Sequence, residues 1–279
     1  MFTFARIISS ILLSSLASGL VIPKLERRIV GGSVISGNAA PFAVHLTLTS
    51  SEGSVRYCEG TLISNRHVLT ANSCVYQDNG KFYAPSNVKV GYGSTKLSEQ
   101  LSTPAVNLYA QPKMDIVTTT FADQYANNLA VVEIQPVQTG ELIAPVEIYT
   151  GSIQDNAQLI AVGWSIQTKD KDASADDLKA AKLRVGEQTK CLMYDPLYIG
   201  ASGPRICTFA MTASDSATCK SNLGSGALMV VDGNLYLAGV NGLANGSGCG
   251  DSAGFTQFTH VNNYQEFLSQ FLATLNNSV

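Results

Sequence analysis

Charge is scarce in this sequence. Charged side chains make up 14% of the 279 residues, against 45% hydrophobic ones. That balance excludes a disordered chain, which needs much charge and little apolar material. A formal net charge of −3 provides no basic field to draw nucleic acid. Metal-site spacing is missing too, with no Cys-x-x-Cys pair and no His-Glu-x-x-His, so zinc has no frame to occupy and no cofactor is expected. No apolar run reaches the roughly 20 residues that cross a bilayer, and no membrane partner is expected. There is no internal repeat.

What remains is apolar, turn-rich material. A chain of this length suits one large all-β unit or two small domains, and its 24 glycines suit many tight turns. The first residues have the pattern of an export signal over 1–19: Arg6 supplies the positive start, residues 7–16 are rich in Ile and Leu, and Ala17-Ser18-Gly19 offers small residues for cleavage. A buried N-terminal helix is the competing reading. Six cysteines fit export: Cys58, Cys74, Cys191, Cys207, Cys219 and Cys249. An even count in an exported chain points to disulfides, although six cysteines allow about 15 pairings.

Strand-like stretches run over 43–49, 62–69, 159–162 and 235–240. Turn clusters separate them, among them Gln77-Asp78-Asn79-Gly80 and Val231-Asp232-Gly233-Asn234. Many short strands with frequent turns predict a sandwich or barrel. The C-terminus changes period. Tyr264, Phe267, Leu268, Phe271, Leu272 and Leu275 form one apolar stripe of a helix over about 263–275, with Asn262 or Asn263 as its cap. The polar side of that helix lacks Lys and Arg, so the stripe is expected to pack on the body and not on a membrane. The stretch from Lys169 to Asp177, mixed in sign, reads as a solvated loop.

Six short segments, in order, resemble the trypsin-like serine protease family. Arg28-Ile29-Val30-Gly31-Gly32 is similar to the activation site and new N-terminus. Ala71-Asn72-Ser73-Cys74 stands where the family has Ala-Ala-His-Cys. Asn127-Asn128-Leu129 stands for the segment carrying Asn-Asp. Gly163-Trp164 resembles the start of the second barrel. Cys219-Lys220-Ser221-Asn222-Leu223-Gly224 stands for Cys-x-Gly-Asp-Ser-Gly. Val261-Asn262-Asn263-Tyr264 resembles the entry to the last helix. The resemblance covers nearly everything after the signal.

It implies an all-β fold of two packed antiparallel six-stranded barrels with a C-terminal α-helix. The first barrel covers about 29–145, the second about 146–262 and the helix about 263–275, after a short propeptide at 20–28 released between Arg28 and Ile29. It implies the pairs Cys58–Cys74, Cys191–Cys207 and Cys219–Cys249. The positions of the catalytic histidine, aspartate and serine fall on Ser73, Asn128 and Leu223. A serine nucleophile needs a base to take its proton and a carboxylate to orient that base, and none of these three side chains supplies either role. The pocket floor falls on Ala217 and its wall on Gly242, Leu243 and Ala244. Asn222 replaces the aspartate that would receive the Ile29 ammonium, so cleavage after Arg28 is expected to trim the chain without ordering it.

The sequence reading is therefore a secreted, monomeric, non-enzymatic homologue. It would act by binding an unidentified secreted protein as an inhibitor, decoy or cofactor. A resemblance to the glucanase inhibitor proteins that oomycetes secrete implies host hydrolases such as glucanases as targets. Two rivals stand beside it: an active peptidase with a relocated nucleophile, Ser225 served by His67, and a structural or storage protein. The three histidines, His45, His67 and His260, are expected to be packing or surface residues. Asn245-Gly246-Ser247 and Asn276-Asn277-Ser278 are glycan acceptor sequons, at Asn245 and Asn276.

Overall fold

A computed structural model describes residues 33–35, 37–111, 127–164, 176–211, 223–245 and 255–272, the last three of the 223–245 stretch by backbone alone. Strand β1 (Ser33–Val34) comes first. Then β2 (Ala43–Thr49), β3 (Val55–Leu62), β4 (His67–Thr70), β5 (Val88–Tyr92), β6 (Leu101–Ala110) and β7 (Ala130–Ile134) close into a barrel in the order β2-β3-β4-β7-β6-β5. Alternation shapes it: Val44, Leu46 and Leu48 of β2 are fully buried while the residues between them are partly exposed.

The second barrel is built from β9 (Gln158–Gly163), β10 (Lys179–Val185), β11 (Arg205–Ala210), β12 (Gly226–Val231), β13 (Asn234–Asn245) and β14 (Phe255–His260). Its strands run β10-β11-β14-β13-β12-β9, and β9 pairs back onto β10 to close the ring. The short β8 (Glu147–Ile148) lies along β13, and β1 along β10. Two six-stranded antiparallel barrels are thus the fold. The β12–β13 hairpin turns on Asp232 (φ 50°) and Gly233 (φ 82°), the two positive φ values that match the twist of the flanking strands.

Among the described residues there are three short α-helices: α1 (Asn72–Val75), α2 (Gln188–Cys191) and α3 (Gln265–Leu268). Cys58 bonds Cys74, and Cys191 bonds Cys207; Cys219 and Cys249 lie outside the described residues. The interior of the first barrel is continuous with residues of the second, including Val162, Trp164, Leu237 and Val240. A smaller core of Leu159, Leu183, Ile206 and Phe258 fills the second barrel.

Three expectations need correction. The apolar run 62–69 is not one strand. The Ser64 hydroxyl accepts the N–H groups of Arg66 and His67, and this local bonding turns the chain between β3 and β4. Neither Asn262 nor Asn263 caps the last helix. The Asn262 amide donates to the Thr150 carbonyl and that of Asn263 to the Gly203 carbonyl, so both tie the helix entry to other loops. Regular α-helix ends at Leu268, with turn bonds continuing to Leu272. The stripe does pack on the body, with Tyr264 and Leu268 buried and Phe267, Phe271 and Leu272 against the core. Finally, the described end of the charged loop is docked. The Asp176 carboxylate accepts the Ser98 N–H at 2.8 Å and its hydroxyl at 3.0 Å.

Candidate functional site at the barrel junction

The end of β4 leads directly into α1, which carries Ser73, and the segment before β7 carries Asn128. They meet at the junction of the barrels. The Ser73 backbone N–H donates to Asn128 Oδ1 at 2.9 Å. The other end of the same amide, Nδ2, donates to the Gly242 carbonyl on β13 at 3.2 Å. The Thr259 hydroxyl donates to the Asn128 carbonyl at 3.2 Å. A buried residue of the first barrel is thereby held by β13 through its side chain and by β14 through its backbone. Asn127 adopts φ 58°, a conformation that asparagine tolerates, and its side-chain oxygen accepts the Tyr264 hydroxyl.

Leu223 enters from the other side. Its carbonyl accepts the Glu59 N–H at 2.8 Å and lies 3.6 Å from Cys74 Sγ, next to Ser73. The fold therefore brings Ser73, Asn128, Leu223 and Gly242 to one junction. Gly224 follows with φ 87°. Its N–H donates to the Asn241 carbonyl while the Asn241 N–H donates to the Ser225 carbonyl. Two residues thus face one across the ladder, a bulge that needs glycine in its first place. Of the pocket wall, Leu243 and Ala244 continue β13 in register with Gln257 and Thr256, and Asn245 is its last residue.

Glu59 escaped the sequence reading. It is 2% exposed, and its carboxylate accepts the Trp164 N–H at 2.6 Å across the junction. The Trp164 indole donates to the Thr95 carbonyl at 2.9 Å. The only sequence signal was an acid set between Cys58 and Gly60, a place where a buried charge needs partners.

The histidines lie elsewhere. Burial pushes His45 down to about 4, and its ring sits against Tyr57 and Trp164. His67 is 2.9 Å from the Ser64 hydroxyl and edge-on to Phe271. Its pKa is lowered, mainly by burial, with Glu133 opposing. His260 donates from Nδ1 to the Gly203 carbonyl and is also lowered by burial. Ser225 is 2% exposed and its hydroxyl has no partner among the described residues, so the pairing of Ser225 with His67 is not formed. No cluster of His, Cys, Asp and Glu suited to a metal is found among the described residues. The signal at 1–19, the propeptide with Arg28 and Ile29, Ala217, Asn222 and Asn276 lie outside them. No described helix is long and apolar enough to cross a membrane, and the two disulfides fit an oxidising compartment.

Comparison with known proteins agrees with this geometry. The trypsin family model matches residues 29–268. A trypsin of Simulium vittatum is 25% identical over 231 residues, 82% of this chain and 86% of that protein. Chymotrypsin-like elastase family member 1 of Bos taurus is 24% identical over 257 residues, covering 90% and 92%. Factor V activator of Macrovipera lebetinus is 23% identical over 256 residues, covering 90% of each. These are names of enzymes, and they correct one expectation. The side chains at 73, 128 and 223 led the sequence reading to place the chain outside the enzymes; its relatives are named as enzymes, and nothing in the described residues shows it inactive.

Proposed function

We propose, from the premise that this chain belongs to the trypsin family, that it works by binding a protein partner at the junction of its barrels, as an inhibitor, decoy or cofactor of that partner. In this reading Ser73, Asn128 and Leu223 occupy the family's three catalytic positions. The observation that carries it is the double engagement of Asn128. Its amide is bonded at both ends, to Ser73 N–H and to the Gly242 carbonyl, so this buried residue fixes the half-buried Ser73 at the junction beside the half-buried Leu223. Such preorganised surfaces bind with little ordering cost. One relative, the factor V activator, is named for a protein that it acts on, which supports a protein as the partner class. A secreted host hydrolase, a glucanase among them, is the partner to try first.

The test uses the full chain with a secreted endoglucanase and a secreted serine protease as probes, in titration calorimetry. Binding should weaken about tenfold or more in Ser73→Arg, which sets a bulky charge on the junction, and stay unchanged in Ile199→Ser on the exposed loop after α2. Hydrolysis of casein and of peptide esters is measured on the same samples. Binding that ignores Ser73→Arg would overturn the reading; turnover by these samples would leave it standing, because the chain's relatives are named as enzymes.

A further inference from the structure

A cleft of about 640 Å³ opens between β6, the loop after α1 and the C-terminal segment. Aromatic rings share its lining with polar side chains. On one side the rings of Tyr76 and Phe82 stack, with centroids 4.3 Å apart and planes 21° from parallel. Phe82 is 42% exposed, a large ring left in water. Tyr109 of β6 and Phe267 of the C-terminal segment line it as well. Both rest on the ring of Phe271, at 4.9 Å and 5.3 Å between centroids. The Tyr109 hydroxyl is committed elsewhere, donating to Glu133 at 3.0 Å, so its ring is what serves the cleft. Glu266 of α3 lines the same cleft and makes no ion pair among the described residues. No Lys or Arg lines it.

Several aromatic faces, one unpaired carboxylate and no cation describe the complement of a positive charge. The face of an aromatic ring is negative and attracts a cation placed over it. A guanidinium adds two matches, since its plane stacks on rings and its paired N–H groups fit a carboxylate. We propose that this cleft is a recognition site for an arginine side chain of a polypeptide partner, held between Phe82 and Tyr109 or Phe267 with its charge against Glu266. The proposal goes beyond the reading of the junction and does not rest on it. The rings with the amides of Gln111 and Gln270 would also suit a sugar, but a sugar makes no use of the one-sided charge.

The probe is acetyl-D-arginine amide, whose stereochemistry keeps it from serving as a peptidase substrate, added to the full 15N-labelled chain. Its neutral citrulline counterpart and laminaritriose are titrated in parallel. Saturable shifts confined to the amides around Phe82, Tyr109 and Glu266 are expected for the arginine probe. Affinity should fall about tenfold in Glu266→Gln and in Phe82→Leu, and for the citrulline compound. Glu266 and Phe82 are exposed, and unchanged shifts in the rest of the spectrum verify that each variant is folded. Equal binding of the citrulline probe, indifference to both substitutions, or absence of saturable binding would each overturn the proposal. Laminaritriose binding at these amides in place of arginine would overturn it in favour of a carbohydrate site.

Discussion

A β-carbon on Gly224 would stand 2.1 Å from the carbonyl oxygen of Glu59 and 2.2 Å from the Thr70 hydroxyl. Both are held in place, because Thr70 itself donates to the Glu59 carbonyl at 2.7 Å. With φ 87° at this position as well, Gly224→Ala meets both a clash and backbone strain. It should destabilise the chain by about 2–4 kcal/mol. Urea unfolding of the two proteins checks this, and a difference within about 0.5 kcal/mol, as at an ordinary surface site, would refute it.

Asn128 offers a test of sign. Asn128→Ala leaves the Ser73 N–H and the Gly242 carbonyl without their partner, and a buried group left unsatisfied costs about 1–3 kcal/mol. Asn128→Asp keeps an acceptor for Ser73 but turns a carboxylate oxygen toward the Gly242 carbonyl. Its ionised form is opposed by that carbonyl, so the variant should lose stability relative to the natural chain as pH rises through the carboxylate range. Melting curves from pH 3 to 7 read the trend, and a variant that gains stability with pH would contradict the geometry.

Acid should weaken the fold through His45. Burial holds its folded pKa near 4 against an ordinary 6.5, so the unfolded chain takes up a proton first as pH falls. Its contribution is complete above about 6.5 and is lost between there and about 4, amounting to roughly 3 kcal/mol. Burial lowers His67 and His260 in the same direction. Melting temperature should fall across this window, and less steeply in His45→Gln. A parallel fall in both proteins would remove His45 from the account.

The two described disulfides each join residues 16 apart. Replacing either pair by alanines should cost about 3 kcal/mol, on the chain-entropy account. Denaturant unfolding of Cys58→Ala/Cys74→Ala measures it. Peptide mapping without reductant should also recover Cys219 joined to Cys249, and any other pairing would refute the family-based assignment.

Strand β2 was legible to the residue, since its alternation survives in the fold, and the β12–β13 turn was legible because Asp232-Gly233 has few other uses. The break between β3 and β4 was not. Its cause is one serine hydroxyl capping a turn inside an otherwise apolar run. Ser73, Asn128 and Leu223 were singled out only through short segments similar to a known family. Glu59 was missed because its role depends on Trp164, 105 residues later, and no local pattern carries that. The non-enzyme expectation rested on three side-chain identities, whereas the similarity to proteins named as enzymes spans most of the chain.

Cys58 and Cys74 both belong to the first barrel's side of the molecule, and Cys191 and Cys207 to the second's. These two cross-links therefore leave the barrels free to separate. Under tension applied at the ends of the chain, the contacts of Asn128 and Glu59 resist parting together with the shared core and the Thr95 and Asp176 bonds, and all of these are non-covalent. Each disulfide withholds a segment whose extended length is at most roughly 55 Å. Stretched molecules should first yield at the junction, then stop short of full contour length by about two such segments plus the roughly 100 Å that the predicted Cys219–Cys249 bridge would withhold, and reach the missing length only once a reductant is added.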